Sequence, residues 1–171
     1  MEGDIHMNFN ILLVEDNRSF RQTLADTLLM HFATMNIAEV DNGEDALIKA
    51  EDLCLDMIFM DINLPGENGL EATRKIKLRH EHTLIVILTS HDIPEYRQQA
   101  FSNGADYFIS KAGDSCLVDI IAQVEKAMAD KNTRTWQESG SASCRALLRQ
   151  LMSSAPACLP NDGLDLAACL L

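Results

Sequence analysis

No apolar run among the 171 residues approaches the roughly 20 that a membrane-spanning helix needs, and the apolar stretch 164–171 is far too short for that role. A membrane partner is therefore not expected. Cysteine is present without a pattern. Cys54, Cys116, Cys144, Cys158 and Cys169 are odd in number and never spaced as Cys-x-x-Cys, which argues against a disulfide framework and against a zinc site. Reduced thiols and a cytoplasmic location are the expectation. Positive charge is scarce: 14 Lys/Arg stand against 26 Asp/Glu, for a net charge of -12. A nucleic-acid binder needs a basic face that displaces counterions from phosphates, and none is visible. The imbalance is uneven, with 10 Lys/Arg against 23 Asp/Glu through Asp130 and 4 against 3 after it. The polar opening stretch, with Glu2 and Asp4, gives no sign of a secretory leader.

What the chain does have is 47% hydrophobic residues, enough for a real core. Five short apolar runs punctuate the first segment: Phe9–Val14, Asn36–Val40, Met57–Met60, Leu84–Leu88 and Tyr107–Ile109. Several are continuous rather than alternating, as expected of strands covered on both faces. Between them lie stretches of helical spacing. Phe20, Leu24, Leu28 and Phe32 follow Asn17, an N-cap candidate, and Leu117, Ile120, Ile121, Val124 and Met128 form an amphipathic stripe. Asn42-Gly43 and Pro65-Gly66 mark turns, and Asn103-Gly104 marks a helix stop. Strand and helix alternation predicts parallel βαβ units in a doubly wound α/β domain. The expected domain spans 7–130. Residues 131–171 form a tail or the remnant of an effector, with a short helix predicted over 142–152.

In an open parallel sheet, ligands bind beyond the carboxyl ends of the strands. The first run ends in Glu15-Asp16, the third in Asp61, the fourth in Thr89-Ser90, and the fifth runs into Ser110-Lys111. Asp41 follows the second run, but on an outer strand it would lie apart. Three carboxylates at one edge repel each other unless a cation sits among them. Hard oxygen ligands with room for water suit magnesium, which would draw in a phosphate and neutralise charge on transferred oxygens. A carboxylate aimed at that phosphorus gives an acyl phosphate. An ammonium and a hydroxyl opposite would take the remaining phosphate oxygens. A lone Asp at a strand end is more often a cap or a solvated turn residue. Four strand ends carrying compatible chemistry in order are not well explained by chance.

The segments Ile11-Leu-Leu-Val-Glu-Asp-Asn17, Met60-Asp-Ile-Asn-Leu-Pro-Gly66, Ile87-Leu-Thr-Ser90 and Gly104-Ala-Asp-Tyr-Phe-Ile-Ser-Lys111 resemble a response-regulator receiver domain, of the chemotaxis-regulator-like kind found in two-component signalling. The resemblance implies a flavodoxin-like five-stranded parallel sheet, order 2-1-3-4-5, flanked by five helices and followed by an irregular C-terminal extension. It also implies roles. Asp61 would be the phosphoacceptor. Glu15, Asp16 and Asp61, with the backbone carbonyl of Asn63, would hold Mg2+. Thr89 would be the switch hydroxyl, Lys111 the phosphate-pairing lysine and Phe108 the rotating aromatic. The implied partner is a histidine kinase or phosphotransfer protein, with a phosphorylation-dependent homodimer through the face of helix four, strand five and helix five.

Departures from the commonest pattern are Ala112 where many receivers have proline, and Phe rather than Tyr at 108. His91, two residues after Thr89, stands where the family varies. The resemblance implies a signalling phosphoacceptor rather than a turnover enzyme. Three other readings stay open. A haloacid-dehalogenase-type phosphatase would need Asp-x-Asp after the first strand. A binding-only receiver usually loses residues that this chain keeps. The receiver part of a truncated DNA-binding transcription regulator would have only the 41 residues after Asp130 (171 minus 130) for its effector. Direct DNA binding by this chain is therefore not expected.

Overall fold

Each of the five apolar runs forms a strand, and each strand but the first is one residue longer than its run, β2 at its start and the other three at their ends. The computed structural model describes residues 9–113 and 115–131. Within them the order is β1 (Phe9–Val14), α1 (Arg18–His31), β2 (Met35–Val40), α2 (Gly43–Asp52), β3 (Met57–Asp61), α3 (Gly69–Arg79), β4 (Leu84–Thr89), α4 (Pro94–Ser102), β5 (Tyr107–Ser110) and α5 (116–131). Polar Asp61, Thr89 and Ser110 join the ladder because main-chain pairing continues past the apolar residues. Asp61 pairs with Leu88, and Thr89 with Ser110. The first residue of the expected domain, Met7, and the predicted helix over 142–152 lie outside the described residues, as does the tail from Asn132.

All pairings are parallel, in strand order β2-β1-β3-β4-β5. The sheet separates two cores. On one face Ile11, Leu13, Phe59, Leu88 and Ile109 pack with Leu24 and Leu28 of α1 and with Ile120 and Val124 of α5. On the other, Leu12, Val14, Ile58, Met60, Ile87 and Phe108 pack with Ala46 of α2, Ile76 of α3 and Ala100 of α4. Burial on both faces is why the runs are continuous, and only Asn36 and Glu39 of the edge strand β2 are exposed strand positions. At roughly 2 kcal/mol per buried side chain, these two layers dominate stability.

Asparagine sets four helix boundaries. Asn17 accepts from the amides of Ser19 and Phe20, Asn42 from Asp45, and Asn68 from Leu70; Asn103 closes α4. The expected Asn42-Gly43 turn is thus a helix start. Gly43 is needed there because a Cβ would lie 2.4 Å from the Glu67 carbonyl oxygen. Gly104, at φ +94°, gives the left-handed residue that ends α4. No helix of the described residues is long and apolar enough to cross a membrane. Cys54 and Cys116 are free thiols.

Candidate phosphoacceptor site

Parallel strands bring their carboxyl ends to one edge, and the polar residues that end β1, β3 and β4 meet there. Glu15 follows β1 and is buried; Asp16 beside it is exposed; Asp61, the last residue of β3, is buried. Oxygens from these three carboxylates lie within 4.8 Å of one another. Asp41, after the outer strand β2, is outside that group, as its position predicted. Thr89 ends β4 with no exposed surface. Lys111 follows β5, and its amide donates to the Thr89 carbonyl at 2.8 Å, so main-chain pairing fixes the spacing of hydroxyl and ammonium.

The Lys111 ammonium lies 2.9 Å from Asp61 Oδ2 and meets Glu15 Oε2 as well. Its other neighbour is the Phe20 ring, 5.0 Å from the nitrogen to the centroid, a contact that favours a cation over the aromatic face. Burial pushes the Glu15 carboxyl above the ordinary glutamate range. The Lys111 hydrogen bond and charge offset part of this, and the Asp61 charge adds to it. Glu15 Oε1 accepts from the Asn17 amide at 3.2 Å. The Arg21 guanidinium donates to the Glu15 carbonyl and, at 3.1 Å, to the Glu39 carboxylate. Asp61 Oδ1 is buried and has no hydrogen-bond donor. A buried acceptor left without a donor costs about 1–3 kcal/mol. Three carboxylates against one lysine, with one oxygen unsatisfied, form a donor set that suits a small hard divalent cation.

Around this cluster, the Thr89 hydroxyl oxygen accepts from the His91 amide at 3.1 Å. The Asn63 amide donates to His91 Nδ1 at 2.9 Å. Phe108 is 9% exposed and points into the core on the α2–α4 side, away from the carboxylates. The Arg97 guanidinium covers it, 4.4 Å from the ring centroid. No cis peptide is present among the described residues, and the Ala112 amide, which a proline would lack, donates to Ser110 Oγ at 3.2 Å. The Cys116 thiol is buried close to this cluster's lysine. Burial and then the Asp119 charge raise its pKa, and only Lys111 pulls it down.

The geometry brings Glu15, Asp16, Asp61 and Lys111 together, with Thr89 tied to the lysine backbone, Asn63 to His91, and Phe108 on the opposite face. Sequence reasoning missed Phe20, Arg21 and Arg97. Its spacing in the sequence marks Phe20 only as part of a helix stripe. Arg21, four residues after the cap Asn17, carried the faint signal of a cation at the mouth of an acidic cluster.

The family model for the response regulator receiver domain matches residues 11–122. The transcriptional regulatory protein DegU of Brevibacillus brevis is 30% identical over 119 residues, covering 70% of this chain and 49% of the relative. The nitrate/nitrite response regulator NarL of Escherichia coli is 32% identical over 119 residues, covering 70% and 54%. Among solved structures, a LuxR-family two-component response regulator from Aurantimonas superposes with a TM-score of 0.64 at 26% identity, covering 72% of this chain and 87% of that one. The chemotaxis response regulator CheY4 of Vibrio cholerae gives 0.62 at 27%, covering 69% and 99%. The chain spans about half the length of these two curated relatives.

Proposed function

The chain belongs to the response regulator receiver domain family, and from that premise we propose that Asp61 accepts a phosphoryl group from a histidine kinase or phosphotransfer protein. The observation that carries this reading is the asymmetry of the Asp61 carboxylate: Oδ2 is paired to Lys111, while Oδ1 is buried without a donor. Oδ1 is the nucleophile. Its lone pair forms the new P–O bond as the P–N bond of the donor phosphohistidine breaks, and the departing imidazole nitrogen keeps the electron pair. The product is an acyl phosphate. The carboxylates of Glu15, Asp16 and Asp61, with the Asn63 backbone carbonyl, would hold Mg2+. When bound, that ion neutralises charge on the transferred oxygens.

Lys111 then pairs with a phosphoryl oxygen, and the Thr89 hydroxyl donates to another. Phosphorylation adds about 1.5–2 negative charges, which draws Thr89 and the loop after β4 toward Asp61 and leaves room for Phe108 to rotate. The altered surface is the α4–β5–α5 face. This is a population shift between two packings, with the domain acting as a switch rather than a turnover enzyme. A phosphorylation-dependent homodimer through that face is part of the reading, and an unchanged molecular mass on adding a phosphate mimic would count against it.

The test is intact mass after incubation with acetyl phosphate and magnesium, beside Asp61→Asn and a magnesium-free control. One phosphoryl group, gained only with both Asp61 and magnesium, is the expected result. No gain, either there or in a kinase-driven transfer assay, would leave a domain that signals by binding alone.

The output has a second reading. DegU, named as a transcriptional regulatory protein and about half of whose length this chain spans, favours a receiver that controls an attached DNA-binding part. Positive charge on the receiver is concentrated on α3, where Arg74, Lys75, Lys77 and Arg79 are paired with Glu71, Glu67, Asp106 and Glu51. DNA contact would therefore come from residues beyond the receiver. A mobility-shift assay of receiver residues 1–131 with promoter DNA is expected to show no binding.

A further inference from the structure

The Asn63 carbonyl, which the proposed magnesium site needs, belongs to the loop 62–68 that joins β3 to α3. The base of that loop is held locally, since the Leu64 and Gly69 amides both donate to the Ile62 carbonyl at 3.1 Å. Its outer part, 63–67, makes one main-chain hydrogen bond to another element among the described residues. The Glu67 amide donates to Glu44 Oε1 of α2 at 3.0 Å. The backbone makes room for that approach. Gly66 sits at φ +73°, and a Cβ on it would stand 2.5 Å from Glu44 Oε2. Gly43 leaves space beside the Glu67 carbonyl, and Lys75 of α3 takes the Glu67 carboxylate at 2.7 Å. Glu67 is thus gripped from α2 and from α3.

We propose that Glu44 is a positioning residue for the metal. Its carboxylate holds 63–67 in the arrangement that presents the Asn63 carbonyl to the ion. The inference rests on the magnesium site of the reading above. Two plainer roles are open to a glutamate in this place. An acid in the first turn of a helix offsets the helix dipole, and Asp45 does that as well. A carboxylate sharing an open cleft with Asp16 and Asp41 also draws in a cation by charge alone. Neither role calls for contact with the loop, whereas Glu44 accepts the loop's amide and lies against Gly66. Those contacts make it part of the loop's frame rather than solvated surface.

A loop that is ordered for only part of the time lowers the apparent affinity for the ion to that fraction. One hydrogen bond corresponds to about three- to ten-fold in such a balance. Linkage acts in both directions, so the ion must strengthen the Glu44–Glu67 contact by the factor that the contact strengthens the ion.

The experiment is a calorimetric magnesium titration of the full chain at about 0.15 M salt, where charge is screened beyond about 8 Å. Amide–water exchange at Glu67 is followed by NMR in the same samples. Glu44→Ala is expected to bind magnesium about three- to ten-fold more weakly and to exchange the Glu67 amide faster. Glu44→Gln keeps an acceptor oxygen without the charge, and should stay within about two-fold of wild type once charge is screened. Asp45→Ala removes a first-turn charge whose hydrogen bonds go to Asn42, and should leave both readouts unchanged. Gly66→Ala, which forces the loop off Glu44 from the other side, should weaken magnesium too. Combined with Glu44→Ala it should cost less than the two separately. In wild type, magnesium should slow exchange at Glu67. Wild-type affinity in Glu44→Ala overturns the positioning role. So does an equal loss in Glu44→Gln, which would assign the effect to charge, or in Asp45→Ala, which would assign it to the helix. If wild type binds magnesium no better than Asp61→Asn does, the metal site itself fails, and the positioning role with it.

Discussion

Lys111 and Asp61 form a buried ion pair, 2.9 Å between Nζ and Oδ2, and the same ammonium also meets Glu15. One cation from β5 thereby holds carboxylates from β1 and β3. A metal ion arriving at the three carboxylates competes with a charge already in place.

Lys111→Met is therefore expected to lower stability by about 3 kcal/mol without metal, since removing one partner leaves buried charge uncompensated. Magnesium should recover most of that loss, and its apparent affinity should exceed wild type. Urea unfolding with and without magnesium checks this. A loss independent of magnesium would mean that the lysine acts through packing alone.

Glu15 gives a pH prediction with an unusual sign. Its carboxyl is raised above 4.5, chiefly by burial, so the folded state holds the proton more firmly than the unfolded chain does. Stability of the metal-free protein should then fall as pH rises from the ordinary glutamate value through the raised one. Glu15→Gln should flatten that trend, and magnesium, which favours the charged form, should oppose it. Unfolding midpoints between pH 4.5 and 7, with chelator and with magnesium, would show it; a wild-type trend identical to Glu15→Gln would remove Glu15 as its source.

Gly69 opens α3, where an added Cβ would lie 1.8 Å from the Asp61 carbonyl oxygen. Gly69→Ala must push the β3 end or the helix away, at a cost of roughly 2–3 kcal/mol typical of forced overpacking. Magnesium affinity should fall with it, because the displaced residue, Asp61, is one of the three clustered carboxylates. Thermal unfolding and a magnesium titration of the same variant test the two effects together.

Phe20→Leu preserves apolar bulk on α1 but removes the aromatic face beneath the Lys111 ammonium. The lysine loses orientation worth about 0.5–1 kcal/mol. Phosphorylation by acetyl phosphate should slow about two- to five-fold with magnesium affinity unchanged. Equal initial rates for the two proteins would show that the carboxylates alone orient Lys111.

Much of this was legible from the residues because the two signals involved are local. Continuous apolar runs marked the doubly covered strands. The polar residue after each run marked the sheet edge, and parallel geometry brings those ends together. The misreadings arise where tertiary contact overrides local pattern. Asn42-Gly43 has the composition of a turn, but Asn42 caps α2 through the Asp45 amide, and the glycine is there because Glu67 lies against it. Arg97 has the appearance of a solvated helix residue, and its significance depends on Phe108, which only folding brings beneath it. Ser110 does end β5, and its hydroxyl also accepts from the amide that Ala112 has and proline would not.

Phe108 belongs to the core beneath α2–α4, and its neighbour Ile109 to the core beneath α1 and α5. Lys111, two residues past Ile109, reaches back to Phe20 of α1. The odd interval between Phe108 and Lys111 thus gives the aromatic and the cation to opposite sides of one wall. A deletion of a single residue between them would leave every functional group in the chain, yet turn both toward the same side. What the chain must preserve here is a parity as much as a set of residues.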